Sequence, residues 1–437
     1  MTKSMDRRRF MKAGATVAAG VGVLRNARPG YSANETIQVA VVGINGQGRT
    51  HIRSLCSVKG ARVVALCDPD ERLYRDRVDL LKKECEANNE TFEQPKLYPD
   101  IRELLEDDSV DAISIATCDH WHALATIWAC QKRKDVYVEK PASWCISEGR
   151  RMVEAARKYD RIVQVGTGSR SSGVVRRAME LLHEGVIGDV FMARALCYKP
   201  RDSIGFKSFE KPPEGLHFDL WLGPAPEQAY HGNLVHYNWH WFWDFGTTDM
   251  GNQGVHQMDI ARWGLRKELP TQVHGIGGRF GYTDQAETPN TQVSTFEYPD
   301  GTQLVFEVRG RYTNDESGVR IGNLFYGSKG YMVLSGSSYK VYLGRNENPE
   351  PDMGSSTDDL HHNNWIKAVR SRRREDLTAD ILEGHYSAAL CHLGNISCRT
   401  GRKLAFDPEK EDFGGDREAN RYLTRKYRKP FVVPKRV

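Results

Sequence analysis

"VVGINGQGRTH", residues 41–51, follows the apolar run Ile37-Gln38-Val39-Ala40 and leads into residues with helical spacing. A glycine-rich turn between a strand and a helix lets backbone N–H groups approach a pyrophosphate, whose charge the helix N-terminus also favours. Gly43 and Gly48 hold the outer places of the G-x-G-x-x-G pattern, while the middle place is Asn45, with Gly46 and Gln47 beside it. Taken alone, so imperfect a match also describes an ordinary tight turn.

The residues downstream decide between those readings. "RVVALCD", "AISIAT", "VYVEK" and "IVQVG" are short β-branched runs, and between them lie helical stretches such as "ERLYRDRVDLLKKECEA" and "SEGRRMVEAARKYD". Strands regularly separated by helices predict a parallel sheet covered on both faces, an α/β Rossmann domain. Its second strand ends in Asp68, placed to hold the adenosine ribose hydroxyls, although an aspartate there also suits a helix cap. A carboxylate at that point repels a 2′-phosphate and no arginine follows it directly, so NAD is favoured over NADP.

A chain of 437 residues, 39% of them hydrophobic, is long enough for two cores. From about Gly188 the pattern changes to longer alternating strands, "GDVFMARALCY", "PTQVHGIGGRF", "NTQVSTFEYPDGTQLVFEVRG" and "NLFYGSKGYMVLSGSSYKVYLG", with hairpin turns at "EYPDGTQ" and "GSKG". These predict an α+β domain with a large, predominantly antiparallel sheet, one face of it exposed and suited to a homo-oligomer. The division places the dinucleotide domain at 34–166 and the substrate domain at 167–437.

Residues 1–33 stand apart. "DRRRFMKAGATVAAGVGVL", with Arg7 and Arg8 before an uncharged Ala, Gly and Val run, resembles a twin-arginine export signal; a basic tail or membrane anchor is the plainer alternative. The run is too short and glycine-rich for a comfortable membrane span, so no stable span is expected in the mature chain, and the predicted location is the periplasm or another site reached by twin-arginine export. The segment carries seven basic residues against Asp6, so the net charge of +5 falls to about −1 without it. A body near neutrality argues against a nucleic-acid surface. The basic C-terminal stretch "RYLTRKYRKPFVVPKRV" reads as a solvated tail. Nine scattered cysteines without a Cys-x-x-Cys pair suit small core residues in a chain folded under reducing conditions.

Two further motifs carry chemistry. In "ATCDHWH" the imidazoles of His120 and His122 are two residues apart and face different ways on a helix, which favours helix-entry and pocket-wall roles and predicts no metal. In "VYVEKPASW", residues 136–144, Lys140 stands where an apolar strand ends. In this order the glycine turn, the Asp-ended strand, "ATCDHWH", "VEKP" and "VGTGSRSSGVVRRAMELLHEGVIGDV" resemble the Gfo/Idh/MocA family of NAD(P)-dependent oxidoreductases, over nearly the whole chain after the signal. The resemblance implies a dinucleotide site containing Gly43, Asn45, Gly46, Gln47, Gly48, Asp68, Thr117, His120, His122, Glu139 and Lys140. It also implies that Lys140 meets both the nicotinamide end and a substrate hydroxyl. An ammonium beside a carbinol lowers the cost of alkoxide character as hydride leaves. Pro141 would fix the turn, with a cis peptide as one way to do so.

The family's second signature has an aspartate four residues before an acid-base histidine, and here those places hold Asn252 and His256. A histidine exchanges protons near neutrality, whereas an asparagine only positions substrate through hydrogen bonds. Asp259 shares a helical face with His256 and either orients its imidazole or packs near Arg262. Upstream, "YNWHWFWDF" sets Tyr237 and Trp239 beside polar groups, a mixture that suits the C–H faces and hydroxyl edges of sugars. The resemblance and the aromatic run together predict an oxidoreductase for a hydroxyl of a sugar, inositol or related polyol. An export signal adds the expectation of a tightly held cofactor. The alternatives are an exported glycosidase with a transient NAD-dependent oxidation, or a non-catalytic sugar or dinucleotide sensor.

Overall fold

The computed structural model describes residues 35–336, 338–345 and 348–437, so the segment resembling an export signal lies outside the described residues. The first half alternates β1 (Ile37–Val42), α1 (Gln47–Cys56), β2 (Ala61–Cys67), α2 (Tyr74–Ala87), β3 (Lys96–Tyr98), β4 (Ala112–Ile115), α3 (Asp119–Gln131), β5 (Asp135–Val138), α4 (Ile146–Lys158) and β6 (Val163–Val165). All pairings are parallel, in the order β3-β2-β1-β4-β5-β6. The order reverses between β1 and β4, and such a switch point opens a crevice at the strand C-termini. The three-residue β3 pairs only with β2 and its first two side chains are exposed, which is why no apolar run announced it.

The second half is a mixed sheet of eight strands: β7 (Val190–Cys197), β8 (Gln272–Gly278), β9 (Thr291–Glu297), β10 (Gln303–Arg309), β11 (Ile321–Gly327), β12 (Gly330–Ser335), β13 (Tyr339–Leu343) and β14 (Leu404–Ala405). Only β7 and β10 run parallel. Alternation places Ala193, Ala195, Phe306 and Phe325 on the face covered by α5 (Gly173–His183), α6 (Val255–Leu265) and α8 (Ile381–Thr400). The opposite face carries a stack of tyrosines, with the Tyr331 and Tyr342 rings 4.6 Å apart.

The chain does not divide cleanly at residue 167. α7 (His361–Ser371) returns to the first sheet and packs Trp365, Ile366 and Val369 against Ile37, Val39 and Tyr137. α8 serves both cores, Ile381 and Ala388 on one side and Leu393 and Ile396 on the other. The C-terminal stretch is not a solvated tail. Phe431 is 1% exposed, packs edge-on to Trp121 at 5.5 Å, and lies between the Arg102 and Arg428 guanidiniums. Arg425 lies 4.1 Å over the Trp144 ring and donates to the Asp244 carbonyl. The basic residues that suggested solvation cover aromatic faces instead. All nine cysteines are unpaired and six of them are buried. No helix among the described residues is long and apolar enough to cross a membrane.

Phe431→Ala is expected to cost about 3–5 kcal/mol of unfolding stability, the usual effect of emptying a buried phenylalanine site. Denaturant melts would measure it, and a change within about 0.5 kcal/mol would mark the segment as solvated.

Candidate active site

A cavity of about 430 Å³ lies at the switch point, floored by the ends of β1, β2, β4 and β5. β1 ends at Gly43, whose φ is +80°, and a Cβ there would sit 2.7 Å from the Ala116 carbonyl carbon and the Thr117 nitrogen. Gly48 lies behind the turn, where a Cβ would meet the Gly43 carbonyl oxygen at 1.9 Å, so this glycine allows α1 to pack on β1. Gly46 has φ +40° with nothing within 4 Å, leaving open space over the α1 N-terminus. The Thr117 hydroxyl is buried without a partner and lines the same space. Asp68 accepts from the Ile44 and Asp70 amides, both at 2.9 Å, and burial still pushes its carboxyl up to about 6. A positive-φ cradle, a helix N-terminus, an unpartnered hydroxyl and a carboxylate at the end of β2 fit a dinucleotide. Arg77 braces the turn from α2, donating to the Ile44 carbonyl at 2.7 Å and to Asn45 Oδ1 at 3.1 Å.

The Glu-Lys-Pro turn follows β5, and the Lys140–Pro141 peptide is cis. Burial alone would raise the Glu139 carboxyl, but His51, 3.1 Å away, and the Lys140 charge outweigh it and hold the group well below the usual range. The same carboxylate accepts from Gln47 Nε2 and from the Lys140 amide, both at 3.1 Å, so it is fully engaged. His122 Nδ1 meets the Pro141 carbonyl at 2.7 Å and braces the turn from behind. Lys140 reaches forward, and its Nζ donates to the Asn252 carbonyl at 3.0 Å. That carbonyl belongs to one wide π turn, Met250–Gly254, which leads into α6. Just before it, buried Thr248 holds φ +67°, a conformation costly for a β-branched residue.

Two sequence profiles cover the chain: an oxidoreductase-family NAD-binding Rossmann fold over residues 37–167, and an oxidoreductase-family C-terminal alpha/beta domain over residues 205–433. The chain belongs to the Gfo/Idh/MocA family. It is therefore an NAD(P)-dependent oxidoreductase, with NAD the cofactor its first domain fits. It is 26% identical over 374 residues to inositol 2-dehydrogenase 2 of Saccharopolyspora erythraea, a match spanning 84% of this chain and 94% of that one. Matches to other curated inositol dehydrogenases span between 44% and 69% of their length. A glycosyl hydrolase family 109 protein of Shewanella baltica is 21% identical over 211 residues, which is 44% of this chain and 46% of that one. Among solved structures, the WlbA dehydrogenase of Bordetella pertussis, in complex with NADH and UDP-GlcNAcA, superposes with a TM-score of 0.63 at 17% identity. That superposition covers 85% of this chain and 99% of WlbA.

Against the family pattern, one cavity gathers Gly43, Asn45, Gly46, Gln47, Asp68, Thr117, Glu139, Lys140, Tyr237, Trp239 and Asn252. His120 and His122 do not line it. Their rings are committed to backbone carbonyls, His120 Nε2 to Trp221 at 3.1 Å and His122 to Pro141 and Thr117. His256 lines a separate, smaller cavity of about 280 Å³ with Gln253 and Asn323. Burial, with the Lys140 charge, pushes its imidazole down to about 4. Asp259 does not orient His256, because its carboxylate takes Arg170 at 2.8 Å and the Ser387 hydroxyl at 2.6 Å. Trp239 is covered by His240, stacked at 3.6 Å, so Tyr237, 55% exposed, presents the open aromatic face. Among the described residues, no group of three or more His, Cys, Asp or Glu side chains is placed to hold a metal ion.

The sequence reading passed over Asp119, the residue between Cys118 and the two histidines. It lines the cavity at the start of α3 and accepts from Thr247 Oγ1 at 2.6 Å. Burial pushes its carboxyl up to about 7, against the downward pull of Thr247 and the Lys140 ammonium. The group is therefore neutral below that pH and ionised above it, a range suited to proton exchange. The wild-type minus Asp119→Asn infrared difference spectrum is expected to show one carboxylate band growing in near pH 7. A band that is fully ionised at pH 5 would show that burial does not control this group.

Proposed function

We propose that the protein oxidises a hydroxyl of a sugar, inositol or related polyol and keeps its NAD through the catalytic cycle. The observation that carries this reading is Lys140, standing at the end of β5 in the same cavity as the dinucleotide turn. A bound nicotinamide supplies the hydride acceptor. Lys140 donates to the carbinol oxygen and offsets its developing negative charge. Asp119 exchanges the proton, and Asn252 and Tyr237 position the ring, while His256, in its separate cavity, takes no part in this reading.

What supports retention of the cofactor is a strap of the second domain that lines the cavity. Segment 213–240 is pinned to the β2–α2 turn by four hydrogen bonds: Glu71 N to Gly215 O at 2.9 Å, His217 N to Pro69 O at 2.8 Å, His217 Nε2 to Glu71 Oε1 at 2.7 Å and His236 Nε2 to Asp70 Oδ2 at 2.8 Å. Trp121 Nε1 ties it to α3 through the Trp221 carbonyl at 3.1 Å. In this proposal these contacts slow the departure of a bound dinucleotide. Export by a twin-arginine signal, with cofactor loaded beforehand, agrees with such a closure and completes the proposal. We further propose that the outer sheet face, with the Tyr331 and Tyr342 stack and Ile276 59% exposed, is covered in a homo-oligomer. A monomeric sedimentation profile would rule that part out.

Extensively dialysed protein is expected to retain a nicotinamide absorbance that sugars or inositols switch. Lys140→Met should cut kcat by about 10²–10³-fold with dinucleotide content unchanged, while His236→Ala should speed dinucleotide loss. Loss of all dinucleotide from the wild type on desalting would overturn retention. The match to the glycosyl hydrolase family 109 protein favours a second reading, hydrolysis through transient oxidation. Release of an aglycone without net change in the nicotinamide would establish it. Binding with no spectral change under any condition would point to a sensor.

A further inference from the structure

A second cavity, of about 510 Å³, shares Tyr237 with the dinucleotide cavity. Its size falls within the usual range for ligand sites, about 300–1,000 Å³. Trp241, Asn233, Asn238, Arg201 and Lys207 supply its walls. Arg201 is immobilised: Asp249 accepts from its Nε and Nη2 at 2.9 and 2.5 Å, and its guanidinium lies 5.0 Å over the Trp241 ring. Its remaining Nη1 points at the Tyr237 hydroxyl, 3.3 Å away. Asn233 is fixed by Gln285 at 2.9 Å, and Asn238 Nδ2 lies 3.4 Å from Asn233 Oδ1.

Trp241 is buried beneath the Arg201 guanidinium, so the exposed Tyr237 ring, with the Asn238 amide beside it, is the surface that matches a sugar, whose C–H faces are apolar and whose edges need hydrogen bonds. The charges sharpen the choice. Arg201 is neutralised by Asp249, and Asp202 stands in the same wall as Lys207, so nothing here calls for a phosphate. A polar chain joins the two cavities: Asn252 to Asp249 at 3.5 Å, Asp249 to Arg201, and Arg201 to Tyr237. A dinucleotide reaching from Asp68 to Lys140 uses most of the inner cavity. The part of a substrate that does not react is then directed past Tyr237.

We propose that this outer cavity binds a second, uncharged sugar unit, so that the protein acts on the terminal unit of a di- or oligosaccharide or other glycoside in preference to a free monosaccharide or inositol. The inference rests on the sugar-oxidoreductase reading above. Matched pairs test it: glucose with cellobiose, galactose with lactose, mannose with mannobiose and xylose with xylobiose. Each is added to the dinucleotide-loaded protein while nicotinamide absorbance and tryptophan fluorescence are followed. For the reacting sugar, the disaccharide is expected to have at least a tenfold higher kcat/KM than its monosaccharide and to quench tryptophan emission at lower concentration. Asn238→Ala should raise KM for that disaccharide at least tenfold with kcat and dinucleotide content held, and Trp241→Phe should reduce the quench. Equal kcat/KM within a pair, or a preference that survives in both variants, would overturn the outer site while leaving the oxidoreductase reading intact. No optical response to any sugar would remove both.

Discussion

An ammonium at the end of a buried strand must be given an acceptor, and Lys140 finds its acceptor in the other domain. An α-helical carbonyl at residue 252 would be committed within its own helix, whereas the π turn turns one outward. The turn in turn rests on Thr248 in a left-handed conformation and on Asp249 locked to Arg201. This bond of 3.0 Å joins the two domains at the centre of the cavity, beside the Thr247–Asp119 bond and the strap contacts. Irregular backbone is concentrated where that bond needs it, in keeping with the way strain gathers at functional sites.

The electrostatics divide the acids by environment. Glu139, next to the lysine in sequence, is spent on His51, Gln47 and a backbone amide and stays ionised. Asp119 is remote in sequence, has one hydroxyl partner and titrates near neutrality. Two carboxyls that both feel the Lys140 charge thereby titrate in different pH ranges, which is how acid and base roles separate in one site.

Much of this was legible because it is local. Period-two and helical patterns marked five of the six parallel strands, and the order of motifs placed Lys140, Asp68 and the glycine turn in one cavity. What escaped depends on distant packing. Nothing in "YLTRKYRKPFVV" says that Phe431 fills a hole beside Trp121, because the hole is built by residues some 300 positions earlier. His120 and His122 drew attention as polar groups in a motif, yet burial and nearby carbonyls claim them, and the carboxylate beside them is the one that faces the cavity. The resemblance to the family's second signature paired Asn252 with His256, but the structure places the two residues in different cavities.

The placement of α7 and Phe431 has a bearing on biosynthesis. The dinucleotide domain is encoded first, but one face of its sheet waits for residues 361–369 and the pocket beside Trp121 waits for residue 431. On the ribosome an N-terminal domain ordinarily folds while the rest is still being made. Here part of the first domain's packing comes later in the chain, from α7 against the first sheet and from Phe431 against Trp121. A product that stops before residue 361 therefore leaves apolar side chains of its first sheet, Ile37, Val39 and Tyr137 among them, without the helix that packs on them.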